Sequence, residues 1–149
     1  MIFIDSNIWC YYFDKRLPEH QLVREPIRQI LLSSEELASN TIVVMEIAHY
    51  IVRHFAGEDA RKKIEHFVNL RNMKILDLDT KLMRESIDYL LNYGYSDGLG
   101  GRDATIIAVM NSQGIKTLLS HDEAFKRLAE RMTFKVIDPV TPFKKEQKR

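Results

Sequence analysis

The sequence predicts an α/β fold: a parallel sheet covered on both faces by helices. Three observations predict it. Short apolar runs of strand length alternate with longer stretches in which apolar residues recur at helical spacing. Capping residues stand where several of those stretches begin, and glycines where they end. No internal repeat and no linker interrupts the alternation, so the 149 residues read as one unit.

The elements follow in order. Residues 1–5 (Met1-Ile2-Phe3-Ile4-Asp5) read as a buried strand, short and apolar. Residues 6–13 suit a first short helix. Residues 20–33 predict a helix with Leu22, Ile27, Ile30 and Leu31 on one face, its regularity limited by Pro26. Residues 37–39 make a short, weak strand. Asn40 is placed to cap a helix over 41–55, with Val44, Ile47, Ala48, Ile51 and Phe55 as its core stripe. A further helix spans 58–70 after Gly57, and 73–78 is a strand. Asp79 or Thr80 caps the next helix, whose apolar stripe is Met83, Ile87, Leu90 and Leu91. Residues 92–101 read as a turn-rich stretch because of Gly94, Gly98, Gly100 and Gly101. Helix follows over 102–112, ended by Gly114, and strand over 116–120. Ser120-His121-Asp122-Glu123 matches a capping box for a helix running to about residue 131. The last strand is 134–137, stopped by Asp138-Pro139. The domain is taken as residues 1–140, with 141–149 a basic polar tail.

Composition excludes several classes of protein. A net charge of +1 carries no global signature of polyanion binding, so any such binding needs a local patch or a cation. The single Cys10 cannot form an internal disulfide, and no Cys-His cluster suggests structural zinc. Inside Ile8-Trp9-Cys10-Tyr11-Tyr12-Phe13 it reads as an inert thiol, and the aromatics there as core rather than as a platform for bases. No basic segment precedes an apolar run at the N-terminus, and no run reaches the roughly 18 residues of a membrane span. The cytoplasm is the expected compartment.

Four acids stand beside core-forming sequence: Asp5 after Ile2-Phe3-Ile4, Glu46 within Val43-Val44-Met45-Glu46-Ile47, Asp103 before Ala104-Thr105-Ile106-Ile107, and Asp122 after Leu118-Leu119-Ser120-His121. A carboxylate there is costly unless it is paired, hydrated or bound to a cation. Each also has a plain structural explanation. Asp5 and Asp122 can cap the helices that follow. Glu46, on the stripe of His49, Tyr50 and Arg53, can be a solvated or ion-paired helix residue, and Asp103 suits the first-turn dipole. Together they suggest a site assembled by folding at the carboxyl ends of strands. A carboxylate-only donor set is suited to Mg²⁺ or Mn²⁺.

The motifs around these acids resemble those of PIN-domain ribonucleases, and most closely of VapC-like toxins from type II toxin–antitoxin pairs. They are Phe3-Ile4-Asp5-Ser6-Asn7, Ile42-Val43-Val44-Met45-Glu46-Ile47, Asp103-Ala104-Thr105-Ile106-Ile107-Ala108, and Leu119-Ser120-His121-Asp122-Glu123-Ala124-Phe125, in order and spanning residues 1 to about 138. The resemblance implies a three-layer α/β/α sandwich with five parallel strands, the first and fourth adjacent. It implies a metal-dependent endoribonuclease, and a homodimer neutralised by a small antitoxin that covers the acidic pocket. On that reading Asp5, Asp103 and Asp122 hold Mg²⁺ or Mn²⁺ directly or through water, and Glu46 completes the shell or orients the attacking water. Ser6 and Ser120 support them by hydrogen bonds. Arg53, Arg102 and His121 are candidate phosphate contacts, and Lys144, Lys145, Lys148 and Arg149 further ones. A PIN-fold nuclease of RNA processing and a non-catalytic RNA- or protein-binding module are the competing readings. Gly98-Leu99-Gly100-Gly101 lacks the Lys-Ser/Thr of a phosphate loop.

Overall fold

A computed structural model describes residues 1–141. Twelve elements alternate along it: β1 (Ile2–Ile4), α1 (Ser6–Phe13), α2 (His20–Leu32), β2 (Leu37–Asn40), α3 (Thr41–His54), α4 (Gly57–Val68), β3 (Met73–Leu76), α5 (Thr80–Asp97), α6 (Gly101–Gln113), β4 (Thr117–Leu119), α7 (Glu123–Ala129) and β5 (Lys135–Ile137). The five strands form one parallel sheet in the order β3-β2-β1-β4-β5. Crossovers, right-handed as a rule for parallel strands, carry the chain from β1 outward to β3 over one face, then back past β1 to β4 and β5 over the other. The packing pairs agree: α1 with α2 and α3, and α3 with α4, on one side; α5 with α6 and α7 on the other. The strand order reverses between β1 and β4, so a switch point lies beyond their carboxyl ends.

The central strands are buried on both faces, and Phe3, Ile4, Leu118 and Leu119 belong to one core cluster. Trp9 packs edge-on to Phe67, with ring centroids 4.9 Å apart, and stacks on Phe13. It is fully buried, as core rather than as a platform. Helix α6 is buried all round from Asp103 to Met110, between the sheet and α5, which explains its lack of a polar face. Its C-terminus turns at Gly114, where φ is +65°.

Several expectations need correction. On α2, Val23 is buried together with Ile27, while Leu22, Ile30 and Leu31 are only half-buried. On α3, Val43 replaces Val44 in the buried stripe with Ile47 and Ile51. The α5 stripe is rotated: Met83, Ile87 and Leu91 face outward, and Leu82, Ser86, Tyr89, Leu90 and Tyr93 face the protein. The same helix runs straight through the expected turn at residues 92–97. Asp97 in its last turn is gripped by Arg131 at 2.7 and 2.9 Å, and Arg127 takes its carbonyl at 3.0 Å. Gly98 then ends the helix at φ +71°. The capping box does not form, because Asp122 rather than Ser120 caps α7. The tail residues Lys144, Lys145, Lys148 and Arg149 lie outside the described residues.

Candidate active site

Strand β1 delivers Asp5 to the switch point, where its N–H bonds to the Leu119 carbonyl of β4 at 2.9 Å. The side chain is fully buried. Oδ1 accepts from the Ser6 amide at 2.7 Å, the N-cap of α1, and Oδ2 accepts from Ser120 Oγ at 2.7 Å. Capping and site geometry therefore coexist in one carboxylate. Burial pushes Asp5 up to about 6, against the lowering effect of Ser120 and Arg102.

Glu46 and Asp103 arrive from opposite layers. Asn40, at the end of β2, caps α3 by accepting from the Val43 amide at 2.8 Å. Its Nδ2 donates to Thr105 Oγ1 at 3.2 Å, and Thr105 Oγ1 donates to the Arg102 carbonyl at 2.6 Å. This chain of bonds ties the first turn of α6 to the first turn of α3. One turn further along α3 stands Glu46, and in the first turn of α6 stands the buried Asp103.

Arg102 lies among these acids. Its Nη1 donates to Glu46 Oε1 and, at 3.1 Å, to Ser6 Oγ; its Nη2 and Nε donate to Asp103 Oδ1 at 2.7 and 3.1 Å. Burial opposes its charge, but the bonds to Asp103 and the charges of Asp5, Asp103 and Glu46 outweigh it, so the guanidinium is held protonated more firmly than usual. Asp103 is raised above the usual carboxylate range, first by burial and also by the charges of Asp122 and Glu46. Asp122 caps α7 through the Ala124 amide at 2.9 Å, and its own N–H donates to Ser120 Oγ at 3.0 Å. Ser120 thus bridges the Asp5 carboxylate and the Asp122 backbone.

Two expected phosphate contacts, Arg53 and His121, make no bond to the four acids among the described residues. Arg53 is exposed in the last turn of α3 and makes no hydrogen bond or ion pair with the acids among the described residues. His121 donates from Nδ1 to Asp138 Oδ2 at 2.9 Å and sets its ring edge-on to Tyr11. Asp138, read from sequence only as a strand terminator, also accepts from Lys126 at 2.6 Å and Thr141 at 2.7 Å. Gly100 and Gly101 open α6 rather than forming a phosphate loop. Cys10 is half-buried, and its thiol is pushed up to about 12, chiefly by burial, which keeps it inert.

An open cleft of about 470 Å³ lies over Ile42, Glu46, Gly100, Gly101, Arg102 and Asp103. Among the described residues, no three His, Cys, Asp or Glu side chains converge closely enough to hold a metal ion in this arrangement. The donor chemistry nonetheless fits a hard cation: Glu46 Oε2 is buried without a hydrogen-bond partner, Asp5 and Asp103 resist ionisation, and a cationic side chain already sits among them. Sequence reasoning missed Asn40 and Thr105 as site-building residues, and missed the inward turn of Arg102. Asn40 was visible only as a cap, and a bond between residues 65 positions apart has no local signal.

The sequence matches the PIN domain family over residues 2–131. No curated protein matches it. Among solved structures, it is similar to VapC20 of Mycobacterium tuberculosis, a Sarcin-Ricin loop cleaving toxin, with a TM-score of 0.73 and 16% identity over 86% of this chain and 95% of that one. It is also similar to FitAcB from Neisseria gonorrhoeae, with a TM-score of 0.69 and 18% identity over 93% and 98% of the two chains. A third similar structure is VapBC2 from Rickettsia felis bound to a DNA fragment from its promoter, at 0.66 and 17% over 93% and 98%. At these identities the likeness establishes the fold.

Proposed function

The chain belongs to the PIN domain family, and from that premise we propose that it is a divalent-metal-dependent endoribonuclease, a VapC-like toxin restrained by a cognate antitoxin. The observation that carries the reading is that one guanidinium at the switch point joins Glu46 and Asp103 and bonds Ser6, the residue next to the buried Asp5, while Ser120 links Asp5 to Asp122. The similar structures named as a toxin and as a VapBC complex support the toxin and antitoxin part.

Phosphodiester hydrolysis needs an oriented water, in-line attack and relief of negative charge on the phosphate. When bound, Mg²⁺ or Mn²⁺ supplies Lewis acidity and a place for the phosphate oxygen. Asp5, Asp103 and Asp122 would hold the ion, directly or through water. Ser120 Oγ and the Ser6 amide fix the Asp5 carboxylate. Glu46 Oε2, free of other partners, accepts a hydrogen bond from the attacking water and aims it. The RNA strand would lie in the cleft beside Glu46 and Asp103. Contacts from Arg53, Arg102 and His121 hold its phosphates without choosing a sequence. The protein acts in the cytoplasm as a homodimer. No helix among the described residues is long and apolar enough to cross a membrane.

The test is cleavage of single-stranded RNA by the purified full chain. Cleavage in Mg²⁺ or Mn²⁺, abolished by chelation and reduced at least about hundredfold in Asp5→Asn, is expected. An Asp5→Asn protein that folds and cleaves at the wild-type rate defeats the proposal. Growth arrest on expression, relieved by a co-expressed partner, tests the toxin assignment separately.

A further inference from the structure

We propose that Arg102 is the acid pocket's own counter-cation and must leave its place when a divalent ion enters. The inference rests on the metal-dependent reading above and deepens it, because it assigns this chain a built-in competitor for the ion.

The geometry carries the argument. Arg102 uses three nitrogens to reach Ser6 Oγ, Glu46 Oε1 and Asp103 Oδ1, oxygens supplied by α1, α3 and α6. A guanidinium is a flat fork whose donors point outward, so it spreads its acceptors apart. Its donors hold their acceptors at hydrogen-bond length, whereas Mg²⁺ draws oxygens to about 2.0–2.1 Å around one point. Carboxylates spread around the fork therefore cannot also converge on an ion. Their failure to converge on a metal-sized point among the described residues is what a seated guanidinium produces.

Arg102 also has the means to leave. Its carbonyl is pinned by Thr105 Oγ1 at 2.6 Å, so the backbone stays fixed while the side chain swings. That side chain is 32% exposed and borders the open cleft, whereas the Asp103 side chain is only 10% exposed. The pocket exchanges a charge of +1 for one of +2, and the acids close in on the ion as the fork withdraws. Once released, the guanidinium stays tethered at the mouth of the cleft, where it meets the phosphate the ion holds. Metal-free protein is thereby kept folded with its acids neutralised, and Arg102 becomes a positioning residue whose absence loosens the empty pocket.

The experiment measures Mn²⁺ binding to the full chain by calorimetry at fixed ionic strength, without RNA, in wild type, Arg102→Ala, Arg102→Lys and Asp5→Asn. Exchange requires Arg102→Ala to bind Mn²⁺ at least about tenfold tighter than wild type, with Arg102→Lys between them. Mn²⁺ must also raise the melting temperature of Arg102→Ala by more than it raises that of wild type. Equal or weaker binding by Arg102→Ala, while Asp5→Asn loses binding, overturns the exchange and leaves the metal site standing. Unchanged binding in Asp5→Asn overturns the site itself and the exchange with it. A measurement on wild type needs no variant to fold: Mg²⁺ is titrated while the Arg102 side-chain Nε–H resonance is followed. A large shift to a solvent-exposed position supports release, and an unmoved resonance at saturating Mg²⁺ overturns it.

Discussion

Ser120 Oγ donates to Asp5 Oδ2 at 2.7 Å, joining the carboxyl ends of the two strands between which the strand order reverses. The same oxygen accepts the Asp122 amide at 3.0 Å, so one buried hydroxyl sets the orientation of one acid and the backbone of another. Ser120→Ala is expected to weaken Mn²⁺ binding about 10- to 100-fold. Leaving Asp5 Oδ2 without its partner also costs about 1–3 kcal/mol of stability. Calorimetry and denaturant unfolding check the two effects, and a variant unchanged in both shows that the hydroxyl is not a support.

Asp5 gives the metal-free protein an unusual pH dependence. Its carboxyl is raised from 3.8 to about 6 by burial, so between those values the folded chain holds a proton that the unfolded chain has lost. The contribution of this group to stability therefore falls as pH rises from about 4 to 6, and the deficit persists above. The shift corresponds to roughly 3 kcal/mol as an upper figure. Asp138 has the opposite sign: burial works against its charge, but bonds from Lys126, His121 and Thr141 hold it at about 2. Its stabilisation is present above the ordinary carboxylate range and is lost as pH falls towards 2. Melting curves in chelator, wild type against Asp5→Asn, isolate the first effect. Asp5→Asn is expected to gain on wild type steadily from pH 4 to 6.5; a constant difference contradicts the burial argument.

The first turns of α3 and α6 are held together by Asn40. Its side chain both caps α3 and reaches Thr105, so Asn40→Ala removes a cap and a cross-layer bond. The expected cost is about 1–2 kcal/mol in denaturant unfolding, with RNA cleavage falling further than stability explains. Asn40→Asp keeps the cap oxygen but not the amide donor, and is expected to recover the stability but not the rate. Equal recovery of both contradicts a role in placing Arg102 and Asp103.

Along α5, Met83, Ile87, Leu91 and Tyr95 are exposed by 44, 45, 78 and 104% and recur every fourth residue. Such a stripe is the natural seam for the proposed homodimer. Leu91→Lys is expected to convert the protein to a monomer in light scattering at micromolar concentration, with the melting temperature of dilute protein unchanged. A dimer of undiminished affinity places the seam elsewhere.

Much of this was legible in the sequence for local reasons. Caps at Asn40 and Asp79, the terminating Gly114 and the apolar runs around Asp5 and Ser120 mark elements whose causes are short-range, and the structure shows each of them. The errors arose where distant partners decide. Helix α5 continues past residue 92 because Arg127 and Arg131, thirty and thirty-four positions away, hold Asp97. Its apolar stripe was assigned inward because periodicity identifies a face without saying which side the protein lies on. Val43 rather than Val44 joins Ile47 and Ile51 in the fully buried stripe of α3, with Val44 packed at its edge. The four acids were visible as charges next to core sequence. Arg102 was legible as a candidate phosphate contact, but its seat among the acids was not, because that depends on α3 bringing Glu46 against it.

The most direct measurement is anomalous diffraction from a crystal of the full chain soaked in Mn²⁺. The expected result is a single dominant peak, or a close pair, bounded by oxygens of Asp5, Asp103 and Asp122 with Glu46 alongside, and the Arg102 side chain turned out into the cleft. A protein that cleaves RNA while its Mn²⁺ binds away from these acids, or not at all, would contradict the account.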